Sequence, residues 1–316
     1  MAGPGDRVLV TGATGLIGRH VLPLLAARGF EVHAAARGGP DGVGAATWHV
    51  LDLSDHARIE QVVAAVRPTH LLHLAWHIRG DYYTSPANIR WLRDSLRLFE
   101  VFVEHGGRRL VGAGTASEYE HRGDADLSET VTPLRPNALY GECKKALGEV
   151  AAAYASRCSV SFAWGRVFPC YGPGEHRSRM IPTLLDVIAT RGRIPFEEGR
   201  GVRDYVYVED TAEAFAELVA SRVEGPLNIG TGVPTTVRDF VTKLAAAAGR
   251  PGCVDFGAAP TPSYEPVRIV ADTARVRALT SWRPRWSVEA GIRETVAWWT
   301  ARGRSVEVAA GRTEAT

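Results

Sequence analysis

Residues 7–29 read RVLVTGATGLIGRHVLPLLAARG, and this stretch narrows the fold more than any other. Three glycines spaced three apart, Gly12, Gly15 and Gly18, join the apolar run Val8–Val10 to an apolar segment with helical spacing. A strand that runs through a glycine turn into a helix is one half of a parallel βαβ unit. The pattern then repeats. Apolar runs at 7–10, 31–36, 70–75 and 109–114 read as buried strands, and 16–28, 55–66, 88–105 and 138–156 carry helical periodicity. Alternation of this kind predicts an α/β fold with a doubly wound parallel sheet and helices on both faces. Right-handed crossovers would bring the carboxyl ends of the strands to one edge, where such folds bind ligands.

Proline and glycine punctuate the chain after residue 168, and the simple alternation stops. The expected organisation is a nucleotide-binding domain over 1–165, a smaller lobe over 166–306 and a flexible tail over 307–316. Segments near 204–230 and 268–280 are expected to return to the first domain. With 316 residues, 45% of them apolar, the chain can bury a large core. Its net charge of +2 argues against a strongly basic nucleic-acid binder. No apolar run approaches the roughly 18–20 residues of a membrane span, and the amino terminus lacks a charged-then-apolar signal pattern. Cys143, Cys158, Cys170 and Cys253 are widely spaced, forming neither a Cys-x-x-Cys pair nor a ligand array. Free thiols, no metal and a cytoplasmic location are therefore expected.

In the glycine loop, Gly12 suits a tight turn, Gly15 lets a pyrophosphate approach the amides at the helix start, and Gly18 lets the helix settle on the sheet. The spacing is Gly-x-x-Gly-x-x-Gly, and here the chain resembles the extended short-chain dehydrogenase/reductase family of nucleotide-sugar epimerases, dehydratases and ketoreductases. The resemblance recurs from Val8 to about Trp299 and implies a Rossmann-type fold, a smaller carboxyl-terminal substrate lobe and a bound NAD(H) or NADP(H). It places cofactor contacts at Gly12, Thr14, Gly15, Leu16, Ile17 and Gly18, at Asp52 and Leu53 after the third strand, and at Leu74 and Ala75 after the fourth.

After the second strand, a carboxylate would bond the ribose 2′-hydroxyl of NAD. This chain has Ala36 there, followed by Arg37, whose guanidinium can pair with a 2′-phosphate. The expectation is a preference for NADP(H).

Tyr140 and Lys144 stand four apart in NALYGECKKALGEV, on one helical face. The chain has only three lysines, against 34 arginines, so this spacing seldom arises by chance. A neighbouring ammonium should favour the phenolate and suit Tyr140 to exchange a proton with a carbonyl or alcohol. The family resemblance gives Lys144 a second task on the nicotinamide ribose. It also places Thr115 where a Ser or Thr bonds the substrate oxygen, with Ser117 as a less favoured substitute.

Related 4,6-dehydratases follow that threonine with Asp-Glu. Here the positions hold Ala116 and Ser117, and Glu118 comes one place late, so a dehydratase is disfavoured. In GRGVRDYVYVEDTAEAF, Arg203 matches the family's diphosphate-binding arginine, and Asp210 reads as a cap for the next helix. Arg268 corresponds to a second phosphate contact, and FPCYGPGEH resembles the loop over the sugar. Trp76, His77, Tyr82 and Tyr83 fall near the nicotinamide end. Two departures leave base and sugar open: Pro169 replaces a common asparagine, and PSYEPV at 262–267 replaces an Arg-x-Gly-Asp stretch.

The sequence therefore reads as an NADPH-dependent ketoreductase acting on a nucleotide-activated keto-deoxyhexose. A nucleotide-sugar 4-epimerase is the nearest alternative. A 4,6-dehydratase, a reductase of small ketones and a non-catalytic NADP-sensing protein stand further off. The helices at 88–105 and 138–156 correspond to the family's dimer face, so a homodimer is expected.

Overall fold

The structure is a computed structural model, describing residues 2–3, 5–38, 46–78, 80–121, 123–190, 192–261 and 266–313. Six strands come first: β1 (Arg7–Thr11), β2 (Glu31–Ala36), β3 (Thr47–Val50), β4 (His70–His73), β5 (Arg109–Thr115) and β6 (Ser161–Val167). They are interleaved with α1 (Leu16–Ala27), α2 (His56–Val66), α3 (Ala87–Glu104) and α4 (Leu139–Arg157). Beyond them lie β7 (Cys170–Tyr171), α5 (Met180–Thr190), β8 (Ile194–Phe196), β9 (Val202–Arg203), β10 (Val206–Tyr207) and α6 (Val208–Ala220). The chain finishes with β11 (Gly225–Ile229), β12 (Thr235–Thr236), α7 (Val237–Ala247), β13 (Val254–Phe256), β14 (Arg268–Ile269), α8 (Ala274–Leu279) and α9 (Val288–Thr313).

The main sheet has seven parallel strands in the order β11-β6-β5-β4-β1-β2-β3. Val8, Leu9, Val10, Leu71, Leu72, Leu110 and Val111 are at most 1% exposed, because helices cover both faces of an all-parallel sheet. One face packs α1 and α6 through Val21, Leu22, Leu25, Phe215 and Leu218. The other packs α2, α3 and α4 through Ile59, Val63, Phe99, Phe102 and Leu147. The chain leaves β1 toward β2 on one side and reaches β4 on the other. The switch in strand order at β1 therefore opens a crevice at the carboxyl ends of β1 and β4.

The later segments form three small sheets, β7–β10, β12–β9–β14 and β8–β13. They enclose a separate apolar cluster that includes Tyr171, Ile188, Tyr205, Phe240, Leu244 and Ile292. β11 lies in the main sheet, paired with β6. Asp210 is not the cap expected: it lies inside α6, where its carboxylate accepts from Arg285 N and Trp286 N at 3.0 Å each. That contact ties α6 to the approach of α9. Trp282 is buried and donates to Asp210 O, whereas Trp286, Trp298 and Trp299 are only half-buried. The backbone of 307–313, expected as a tail, continues α9. Residues 314–316, and 262–265 of the PSYEPV departure, lie outside the described residues.

Candidate active site

The glycine loop is shaped by backbone crowding. Gly12 has φ +70°, and a Cβ there would meet Ala75 N at 2.8 Å and Leu74 C at 2.9 Å. A Cβ on Gly18 would sit 2.2 Å from Gly12 O, so the first turn of α1 is pressed onto the loop itself. Gly15 N donates to Gly12 O at 2.9 Å. Gly15 is also the N-cap of α1; no side chain caps the helix and no acid stands in its first turn. A tight, side-chain-free turn under an uncapped helix start fits a dinucleotide pyrophosphate. Thr14, Leu16 and Ile17 complete the turn, and Leu74 and Ala75 close it from the end of β4, where Leu74 N donates to Thr11 O. Arg19 reaches back to Thr14 O at 2.8 Å, and His20 Nε2 meets Pro173 O at 3.1 Å, which joins this loop to the Tyr-Gly-Pro-Gly segment.

Arg37 is exposed at the end of β2 and its charge faces Asp52. Hydrogen bonds from Ser54 N and Oγ, at 2.9 and 2.8 Å, hold the Asp52 carboxyl below its usual range, with Arg37 and Arg90 adding to the effect. Leu53 beside it is buried. Sequence-predicted residues from two strand ends thus meet at one corner of the crevice.

Tyr140 and Lys144 lie one turn apart on α4, and both are buried. Tyr140 N donates to Tyr83 O at 3.0 Å, and the rings of Tyr82 and Tyr83 stand edge-on to the Tyr140 ring. Burial raises the phenol's pKa, while a hydrogen bond from Thr115 opposes the rise. The net shift is upward, against the lowering expected from Lys144. Its Nζ turns to the sheet, donates to Ala113 O at 2.8 Å and lies 4.1 Å from the Trp76 ring centroid. Burial pulls the ammonium down to about 7 against the attraction of Glu118. Desolvation therefore outweighs charge pairing at both ends of the Tyr-x-x-x-Lys motif.

Thr115 ends β5 and also caps a 3-10 turn over Ala116–Glu118. Its hydroxyl accepts from Ser117 N at 3.2 Å, and Glu118 accepts from Thr115 N at 2.8 Å. Glu118 is 1% exposed and bonds Arg166 Nε at 2.8 Å and Trp164 Nε1 at 3.0 Å. Its acceptors are thereby committed to holding the turn. The Thr-x-x-Glu spacing is a capping-box signature that could have foretold this. A second feature escaped the sequence reading. A Cβ on Gly141 would lie 2.3 Å from Ser117 O, so α4 touches the turn only because residue 141 has no side chain. Ser117 itself is half-buried and gives its backbone to this junction.

Trp76 donates from Nε1 to Asn88 Oδ1 at 2.8 Å and offers its face to Lys144. The Tyr82 hydroxyl accepts from Arg179 NH1 at 2.7 Å, a partner no motif singled out. Arg203 is 6% exposed, and its NH1 donates to Val202 O and Pro266 O. Burial lowers its pKa, with the Tyr205 and Tyr83 phenols opposing the shift. Asp204 points elsewhere, into a cage of Thr231, Gly232 and Ala271 donors. Arg268 is paired with Asp126 through Nε and NH2 at 3.0 and 2.6 Å.

A nucleotide crevice at the switch point of a parallel sheet, with a buried Tyr-x-x-x-Lys pair at its inner end, defines a dinucleotide-dependent oxidoreductase. Residues 8–230 match the family model described as the NAD dependent epimerase/dehydratase family, and the chain belongs to that family. It is thus an NAD(P)-dependent enzyme of the extended short-chain dehydrogenase/reductase type. It is 27% identical to the UDP-glucose 4-epimerase of Rhizobium meliloti, over 94% of this chain and 98% of the relative. It is 29% identical to the dTDP-6-deoxy-L-talose 4-dehydrogenase (NAD(P)(+)) of Kitasatospora kifunensis, over 94% and 95%. Among solved structures, the UDP-glucose 4-epimerase of Thermus thermophilus in complex with NAD superposes with a TM-score of 0.82 at 29% identity, covering 93% of this chain and 99% of that one. No helix among the described residues is long and apolar enough to cross a membrane.

Proposed function

We infer that this protein inverts the configuration at C4 of a nucleotide-activated hexose through a transient C4 ketone. The observation that carries the reading is Tyr140, buried on α4 and facing the Thr115 hydroxyl, which draws the phenol's pKa down against burial, beside a fully engaged Glu118. A hydroxyl pair that can hold an alcohol oxygen and pass its proton is present. The positions following Thr115, where a dehydratase needs its own acid and base, hold Ala116 and Ser117. The relatives support C4 as the site, since two of them are named for 4-epimerase and 4-dehydrogenase activity.

A nicotinamide dinucleotide held by Gly12, Gly15 and Gly18 supplies the hydride acceptor and donor and, when oxidised, a positive charge near the phenol. Tyr140 takes the proton of the C4 hydroxyl and later returns it, Thr115 steadies the oxygen, and Arg203 clamps the diphosphate. The second reading, net reduction of a 4-keto-6-deoxyhexose, is favoured by Arg37, which suits the 2′-phosphate of NADP(H). Exposed Ile89 on α3 and Val150 on α4 support a homodimer through that face.

Incubating the protein with UDP-, dTDP-, CDP- and GDP-hexoses, with NAD+ or NADP+ at a tenth of the sugar concentration, and in parallel with the corresponding 4-keto-6-deoxyhexoses and NADPH, separates the readings. Epimerisation should carry one hexose to a mixture of its two C4 epimers in amounts exceeding the cofactor added. Turnover confined to the keto sugars and proportional to added NADPH would replace it with the reductase.

A further inference from the structure

Tyr140 is walled by Tyr82 and Tyr83, whose ring centroids lie 5.1 and 5.7 Å from its own. This wall is anchored from behind. Arg179 NH1 donates to the Tyr82 hydroxyl at 2.7 Å, and its guanidinium carbon lies 5.3 Å from the centroid of that ring. Arg179 Nε in turn lies 3.5 Å from Glu175 Oε1. The chain of contacts crosses from the loop ahead of α5, through the 81–84 turn, to the first turn of α4.

Glu175 distinguishes this arrangement from a surface ion pair. Its side chain is 5% exposed, and its Oε2 is buried without a hydrogen-bond partner among the described residues. Burial raises its carboxyl to about 7, although Arg179 opposes the rise. A carboxylate so poorly compensated costs folding free energy that an apolar residue would not. What it supplies is a fixed inner end for Arg179, whose side chain is one-third exposed (33%) and would otherwise extend into water. Arg179 is also a cation in the field of the Tyr140 phenol, where its charge favours the ionised form.

We propose that Glu175 and Arg179 are positioning residues for Tyr140: the carboxylate pins the guanidinium, and the guanidinium pins Tyr82 against the reacting phenol. The proposal rests on Tyr140 as the proton carrier. Among the described residues, the titratable groups set against Glu175 are Arg179 and the Cys170 thiol, which burial pushes up to about 12. At about pH 8.5 the carboxylate is therefore the anion of this cluster.

The test compares the full-length protein with Glu175→Gln, Tyr82→Phe and the double variant at that pH. UDP-, dTDP- and CDP-glucose serve as probes, and hydrogen exchange is followed over 80–86. Each single change should lower kcat about tenfold with KM nearly unchanged, and the double should lose about tenfold, not a hundredfold. Exchange over 80–86 should accelerate alike in all three while no melting temperature falls by more than about 2 °C. Multiplicative losses of kcat, unchanged exchange, or activity that falls only in step with melting temperature would overturn the proposal. If no probe turns over, the C4 reading fails. Coupled exchange in the two single variants then upholds the anchoring of Tyr82, and uncoupled exchange overturns it.

Discussion

Lys144 is 3% exposed, its ammonium sits against Trp76 and Ala113 O, and burial takes its pKa from 10.5 to about 7. Between those two values the unfolded chain holds a proton that the folded lysine has shed, so this group makes stability rise with pH across that window. Below about pH 7 the cost of the buried charge is fully present. Replacing Lys144 with Met should therefore raise the unfolding free energy at pH 6 and flatten its dependence from pH 7 to 10, as read by urea titration. Turnover should fall by roughly 100-fold or more. A stability profile identical to that of the parent would refute the buried-ammonium account. Arg37 offers a second measurement at this scale. Arg37→Ala should weaken NADP+ by roughly tenfold, the worth of one charge-assisted hydrogen bond, and leave NAD+ little changed.

At the level of elements, the site depends on how closely α4 approaches the turn after β5. Alanine in a helix interior is ordinarily favoured over glycine by roughly 0.5–1 kcal/mol. At position 141 the added carbon would stand 2.3 Å from Ser117 O and 2.7 Å from Pro136 Cβ, so α4 must shift away. Gly141→Ala should lower stability by roughly 1–3 kcal/mol and slow turnover, since Tyr140 moves with the helix. Denaturant midpoints and steady-state rates check both, and a stabilised variant would show the contact to be soft. The β5 glycines obey the same geometry. A Cβ on Gly112 or Gly114 would come within 2.3 Å of the Trp164 indole, which is 2% exposed and anchors Glu118 beneath the turn.

Across the whole molecule, Asp204 joins the small sheets to the main one. Its fully buried carboxylate accepts from Thr231 N at 2.9 Å, Thr231 Oγ1 at 2.5 Å, Gly232 N at 2.8 Å and Ala271 N at 3.2 Å. It thereby fixes β9 to the loop after β11 and to the segment after β14. Asp204→Ala would strand several buried donors, each costing roughly 1–3 kcal/mol. Calorimetry should show Tm lower by roughly 5–10 °C, with Arg203 on the neighbouring position misplaced and nucleotide-sugar affinity reduced. An unchanged Tm would mean that the two halves are held together elsewhere.

The strand–helix alternation, the glycine turn, the Tyr140–Lys144 pair and the position of Thr115 could all be read along the chain, because each is set by local periodicity or short spacing. The direction of the Lys144 side chain, the engagement of Glu118 by Arg166 and Trp164, the need for Gly141 and the Glu175–Arg179–Tyr82 anchor could not. These depend on residues tens of positions apart sharing a dry interior, where desolvation and the available partners decide which charges persist. The sequence by itself determined the fold class and the chemistry on offer. Only packing decided how the phenol is surrounded, because burial turned Lys144 toward the sheet and Arg179 bonds the Tyr82 ring that stands against Tyr140.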